Sequence, residues 1–184
     1  MLGYLPNVQH PASPEENMIQ GLKFTFLLAV LLSCVGCDQA TKSAAKKLLA
    51  TSDPIPLLND LIIFEYTENP GAFLGAGAGL PSGLRFWLFT VLAGALMALM
   101  IWLILKNWSV DLAQITGLAL VTGGGIGNLI DRIVNEGRVI DFVSIGIGTV
   151  RTGIFNVADM AIIAGVVLLT AGMGKNEEGT RGDV

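Results

Sequence analysis

The chain has 184 residues, 52% of them hydrophobic and only 14% charged, with a formal net charge of −4. A mean hydropathy of +0.64 is that of a membrane protein, and the length suits one compact unit. No basic patch interleaved with aromatics points to nucleic acid, and no internal repeat or low-complexity tract is visible.

Residues 1–20 are polar, contain three prolines and read as a disordered N-terminal extension. Residues 21–174 form the membrane domain. Leu22–Cys37 is interrupted only by Lys23 and runs on into DQATKSAAKKLLA, a helical continuation, which predicts a first span over about 22–42. The linker at 51–82 carries LIIFEY, a strand at 61–66, then the turn-rich NPGAFLGAGAG. Gly83–Leu105, with Arg85 near its start, predicts the second span, 83–105, and KNWSV is a short connection. Leu112–Ile130, with its glycine cluster, predicts a third span over 112–134. The next linker, 135–153, carries Asp141 and a SIGIG segment. Ile154–Met173 predicts a fourth span, 154–173, and 175–184 is a polar C-terminal tail. About 20 apolar residues cross a bilayer, so the expected fold is a membrane all-α, four-transmembrane-helix bundle.

Four spans put both termini on one side and the first and third linkers on the other. Seven Lys and Arg lie on the linker side against four on the terminus side, which by itself favours the linkers inside.

Three acids border strongly apolar stretches: Asp131 in NLIDR, Asp141 in VIDFV and Asp159 in FNVAD. Carboxylates near hydrocarbon are costly and mark function by default. The polar residues also fall at one end of the bundle. Asp38 and Lys42, four apart, share a helix face and can pair. Asn128, Asp131 and Arg132 lie on one face at the end of the third span. Asn156 and Asp159, three apart, open the fourth, while Asn69 and Asp141 lie in linkers on that side. Architecture alone accounts for some of these: Asp38–Lys42 as a helix-end or headgroup element, Asp131–Arg132 as an internal ion pair. Asp141 and Asp159 have apolar neighbours and no cation at helical spacing.

Other motifs carry less. Cys34 and Cys37 form CVGC, but no second pair exists and His10 is the only histidine, so they read as packing residues rather than a redox or metal pair. KFTFLLAVLLSC resembles a lipoprotein signal, yet three more spans follow it. Gly123–Gly127 is a GxxxG, which means close helix packing. No cofactor motif and no metal-ligand set is present.

Two acids forced together in a poorly solvated site cannot both ionise easily, so they share a proton. The ionised member can take a proton from water and the other can donate to a carbonyl, which is aspartic-peptidase chemistry. Asparagines and Arg132 can orient a peptide or stabilise its oxyanion.

On DQATK (38–42), ENPGAF (68–73), GGGIGNLIDR (123–132), VIDF (139–142) and FNVAD (155–159), the chain closely resembles the bacterial lipoprotein signal peptidases, or signal peptidases II, over about residues 22–173. The resemblance implies a small extracytoplasmic β-cradle in the first linker, and both termini in the cytoplasm against the positive count. It implies an inner-membrane aspartic endopeptidase that removes the signal peptide from diacylglyceryl-modified prolipoproteins, cutting before the lipid-bearing Cys. Its partners would be those substrates and membrane lipid, with the enzyme a monomer. Asp141 and Asp159 match the catalytic pair. Asp38, Lys42, Asn69, Gly71, Asn128, Asp131, Arg132 and Asn156 match supporting or substrate-contacting positions. The chain departs from the usual N-x-G-A-A-F with NPGAFL, and from GGA with GGG at 123–125.

Three other readings compete. A proton-coupled transporter would hold its carboxylates near mid-bilayer. A Ser/Lys peptidase would use Ser43 or Ser144 with Lys42, Lys46 or Lys47. A structural assembly subunit would leave the acids without a role.

Overall fold

The computed structural model describes residues 13–106 and 111–181, so KNWSV falls almost wholly outside the described residues, as do 1–12 and 182–184. Four helices carry the fold. α1 is Pro14–Leu49, α2 is Ser82–Ile104, α3 is Leu112–Val134 and α4 is Val157–Arg181. α1, α2 and α3 are long and apolar enough to cross a membrane, and α4 contributes a shorter apolar helix, Val157–Ala171. Leu32, Trp87, Leu96 and Val167 are among many large apolar side chains left exposed, as a lipid-facing surface requires.

α1 starts earlier than the sequence reading places it. Ser13 Oγ accepts from the Glu16 amide at 3.2 Å and Glu16 Oε2 accepts from the Ser13 amide at 2.7 Å. This capping box, with Pro14 at the first helical position, starts a helix within the stretch expected to be disordered. α4 likewise continues to Arg181, past the end expected at 173, because no proline interrupts it. α2 contains a π-helical stretch, Phe86–Leu92.

The linkers build one antiparallel sheet of order β1-β2-β3-β4. β1 is Ile55–Leu57 and β2 is Ile62–Asn69, which contains most of the predicted strand. β3, Val139–Ile147, and β4, Val150–Arg151, come from the third linker. The sheet is therefore shared by both linkers, where the sequence reading drew it from the first alone. Thr67 pairs with Asp141, and the β2–β3 register shifts between Phe64 and Thr67.

Two apolar clusters hold the ends together. Leu27, Ile104, Ile115 and Ala119 join the first three helices. Ala45, Leu49 and Phe142, with Phe64, Tyr66 and Val157 against them, seat the sheet on the end of α1. Between these ends, helices approach through glycine. A Cβ at Gly123 would meet Cys34 Cβ at 3.0 Å, and one at Gly127 would meet Asp38 Oδ2 at 2.5 Å, so the GxxxG packs against α1. Cys34 is buried there, and both cysteines are free thiols.

Gly124 faces α4, where a Cβ would run into the Ala158 carbonyl oxygen and come within 2.8 Å of Ile162 Cγ1. Gly124→Ala should therefore destabilise the protein by about 1–3 kcal/mol through overpacking. Gly36→Ala, whose Cβ meets nothing within 4 Å, should leave thermal stability unchanged or raise it. Equal melting temperatures for the two purified variants would contradict this account of the α3–α4 seam.

Candidate active site

The segment before α4 sets the site. Phe155 bridges to β3, its amide donating to the Val143 carbonyl at 2.8 Å and its carbonyl accepting from Val143 N–H at 3.0 Å. That contact places Asn156 at the start of α4. Asn156 Oδ1 accepts from the Asp159 amide at 3.0 Å, and Asp159 Oδ2 accepts from the Asn156 amide at 3.2 Å. The three-residue spacing is thus a reciprocal helix cap, and the same cap fixes the Asp159 carboxyl.

Asp141 reaches the site from β3. Its Oδ1 accepts from Asn156 Nδ2 at 2.6 Å and its Oδ2 from Asn69 Nδ2 at 2.9 Å. Asp159 Oδ1 accepts from Asn128 Nδ2 at 2.9 Å. Asp141 and Asp159 are 2% and 6% exposed. Both line one cavity of about 10 Å³, together with Asn69, Phe73, Asn128 and Arg132, which is about the room one water needs. A groove of about 270 Å³ adjoins Asp141 and is lined also by Thr67, Glu68, Asn69, Leu74, Gly75 and Ala78. Burial pushes the Asp141 carboxyl up to about 6, with the Asp159 charge adding to the rise and the Asn69 and Asn156 amides and the Lys42 charge working against it.

Behind the carboxyls lies a buried ionic cluster. Lys42 Nζ is 2.8 Å from Asp38 Oδ2 and 3.0 Å from Asp131 Oδ2, and donates to Asn128 Oδ1 at 2.9 Å. An ammonium only donates, so it fixes Asn128 with its oxygen towards Lys42 and its NH₂ towards Asp159. Asp38 Oδ1 accepts from the Ala158 amide at 2.9 Å, and Asp131 Oδ2 from the Ile140 amide at 2.9 Å. Asp38 and Lys42 pair as their spacing predicts, but buried, not among headgroups. Asp131 pairs with Lys42 and not with Arg132. Arg132 instead donates from Nη2 to the Gly71 carbonyl at 2.9 Å and from Nη1 to the Asn128 carbonyl at 3.3 Å. Gly71 N–H donates to Asn69 Oδ1 at 2.8 Å, and a Cβ at Gly71 would meet Ala76 O at 2.5 Å.

All ten residues singled out in the sequence thus fall into this one cluster. Gln39 was missed: its Nε2 donates to Asp131 Oδ1 at 3.0 Å, Asp38 Oδ2 at 3.2 Å and the Gly127 carbonyl at 3.1 Å. Its spacing of three from Lys42 marks the shared face. The Ser/Lys alternative finds no such geometry. Ser43, Lys46 and Lys47 are exposed, and Ser144 Oγ accepts from Arg151 Nε at 3.4 Å. Among the described residues, no group of three or more His, Cys, Asp or Glu is placed to hold a metal ion.

Known proteins resemble this sequence and fold. The family model described as "Signal peptidase (SPase) II" matches residues 30–174. A lipoprotein signal peptidase of Syntrophus aciditrophicus is 37% identical over 136 residues, 74% of this chain and 84% of its own length. One from Halalkalibacterium halodurans is 35% identical over 148 residues, covering 80% and 91%. Among solved structures, a bacterial membrane enzyme determined in meso at 2.3 Å resolution superposes with a TM-score of 0.73 at 23% identity, covering 84% of this chain and 91% of that one, so the fold is that of a multi-pass membrane protein. On the length of the family match and the identity of these relatives, the chain belongs to the signal peptidase II family.

Proposed function

We propose that the protein is a membrane aspartic endopeptidase that removes signal peptides from diacylglyceryl-modified prolipoproteins, cutting just before the lipid-bearing Cys. The observation that carries this reading is the water-sized cavity lined jointly by Asp141 and Asp159. The ionised member of the pair takes a proton from water as the hydroxide attacks the scissile carbonyl. The protonated member donates to the carbonyl oxygen, giving a neutral tetrahedral intermediate. In the collapse, the carboxyl that took the water proton delivers it to the leaving amine as C–N breaks, and the other carboxylate recovers a proton from the diol hydroxyl as C=O re-forms, so protons balance and neither a cofactor nor a metal is required. The groove beside Asp141 takes the peptide.

In this reading all four helices cross the bacterial inner membrane, with both termini cytoplasmic. The sheet forms the cradle on the outer face, and the enzyme acts as a monomer. Asp141 on a strand and Asp159 in the first turn of its helix favour an interfacial peptidase over a transporter with a mid-bilayer site.

Asp141→Asn and Asp159→Asn keep shape but remove the proton-exchanging group. Each should lower kcat about a thousandfold or more, since such residues act as a unit, while the purified variants remain folded. Near-normal turnover by either variant excludes the dyad.

The proton also registers in stability. Asp141 holds its proton up to about pH 6 when folded, against about 3.9 in an unfolded chain. A raised folded value favours folding below the unfolded value, and that advantage is lost as pH rises through about 6. Asp141→Asn lacks this loss. Its stability relative to wild type should therefore rise between about pH 4 and 7, by on the order of 2–3 kcal/mol. A difference that is flat or falls across that range in thermal unfolding is the contrary result.

Substrate selection follows from depth. Acyl chains contribute about 0.8 kcal/mol per buried CH₂ to membrane partitioning, so they hold the scissile bond at the interface where the carboxyls lie. The diacylglyceryl precursor should be cleaved, and the same precursor with an unmodified Cys cut very poorly. Equal kcat/KM for the two in one bilayer preparation removes lipid recognition from the proposal.

A further inference from the structure

Arg132 lines a second cavity as well. This cleft has a volume of about 330 Å³ and is formed by Ser82, Arg85, Phe86 and Thr90 of α2 with Arg132 and Ile133 of α3. Two polar atoms of its lining residues, Arg132 Nε and Thr90 Oγ1, are buried and hydrogen-bonded to no protein group. A buried donor left unmet is costly, and such groups point to a missing partner. The partner is an acceptor, because a guanidinium nitrogen can only donate.

Its charge follows from the surroundings. Two guanidinium groups border the cleft against one carboxylate, that of Glu136. Arg85 Nη1 donates to the Ala78 and Leu80 carbonyls at 2.8 and 3.1 Å, which pins that cation in place. α2 also begins here. Pro81 precedes it and no side chain caps it, so its first amides and the positive end of its dipole favour an anion. Depth supplies the rest. Ser82 opens an apolar helix long enough to cross a membrane, and a span that begins there would put the cleft at headgroup level. Phe86 and Ile133 of its wall are exposed, as are Trp87 and Val134 beside them, offering a surface to acyl chains.

We infer that this cleft binds the phosphate group of an anionic phospholipid, with Arg132, Arg85 and Thr90 as its donors. Guanidinium geometry suits phosphate oxygens. Arg132 lines both this cleft and the carboxyl cavity, but lipid retention is read without turnover, so failure of this site and failure of the peptidase reading are distinguishable.

The test uses the full chain in nanodiscs of mixed phosphatidylglycerol and phosphatidylcholine, with the lipid retained after extraction measured by native mass spectrometry. Wild type should retain phosphatidylglycerol in preference to phosphatidylcholine. Thr90→Val, a change of similar shape, and Arg85→Gln should each weaken that preference about tenfold, the loss of one hydrogen bond to a charged group. Inorganic phosphate added as competitor separates the sources. Retention that it fails to reverse assigns the site to a lipid, displacement assigns it to the phosphate group alone, and both support the anion site. Equal retention of the two lipids by wild type, or an unchanged preference in both variants, overturns it.

Discussion

Burying the Lys42 ammonium to 1% exposure obliges the protein to surround it with acceptors, since an unpaired charge in a poorly solvated interior is prohibitively costly. The acceptors come from two helices. Asp38 lies one turn away on α1, and Asp131 and Asn128 come from α3. Two carboxylates against one ammonium leave an excess negative charge, which is met by further donors: the Ala158 amide of α4, the Ile140 amide of β3 and the Gln39 side chain. Four elements are thereby tied to one cation. Removing the cation would strand two buried carboxylates, at a cost of about 3–5 kcal/mol for a broken buried pair.

That cluster also sets what lies in front of it. Asn128 is oriented by Lys42 and passes the orientation to Asp159. Asn156 donates to Asn128 Oδ1 at 3.1 Å and to Asp141 at 2.6 Å, which carries it to the second carboxyl. The donors that touch Asp141 and Asp159 are all amides. An amide holds a carboxylate in place without the full charge that would force it to stay ionised. Arg132, which lines the same cavity, spends its Nη groups on backbone carbonyls. The arrangement thus holds two carboxyls by amide donors while a cation stands one layer behind.

Much of this was legible in the sequence, for reasons specific to each element. The apolar blocks are long enough to identify the helices, and an acid flanked by Val, Ile and Phe stands out as a candidate site. The helix-end asparagines fell on the right faces because helical spacing is local. β3 was not legible as a strand. It is buried on both faces at Val139–Phe142, so VIDFV shows no alternation, and the glycines of SIGIG read as loop. The Lys42–Asp131 pair spans two helices and leaves no local pattern, whereas Asp131 and Arg132, adjacent in sequence, take different partners across the bundle. The start of α1 was legible and overlooked, because prolines suggested disorder while Ser13 and Glu16 spelled a cap.

The NPGAFL departure from the usual family pattern leads to the same cavity from the other side. Asn69 Nδ2 donates to Asp141 and also to the Ala72 carbonyl at 3.0 Å, while its oxygen accepts from Gly71. The turn that follows β2 is therefore folded around the side chain that orients Asp141. Phe73, displaced by one position from its usual place, lines the water-sized cavity, and Pro70 lies along the adjoining groove. With Phe73 in this place the Asn69–Asp141 contact is 2.9 Å. Because Gly71 has no room for a Cβ and its carbonyl is held by Arg132, the turn is pinned at both its amide and its carbonyl. The same backbone turn thus holds one of the two carboxyls in position.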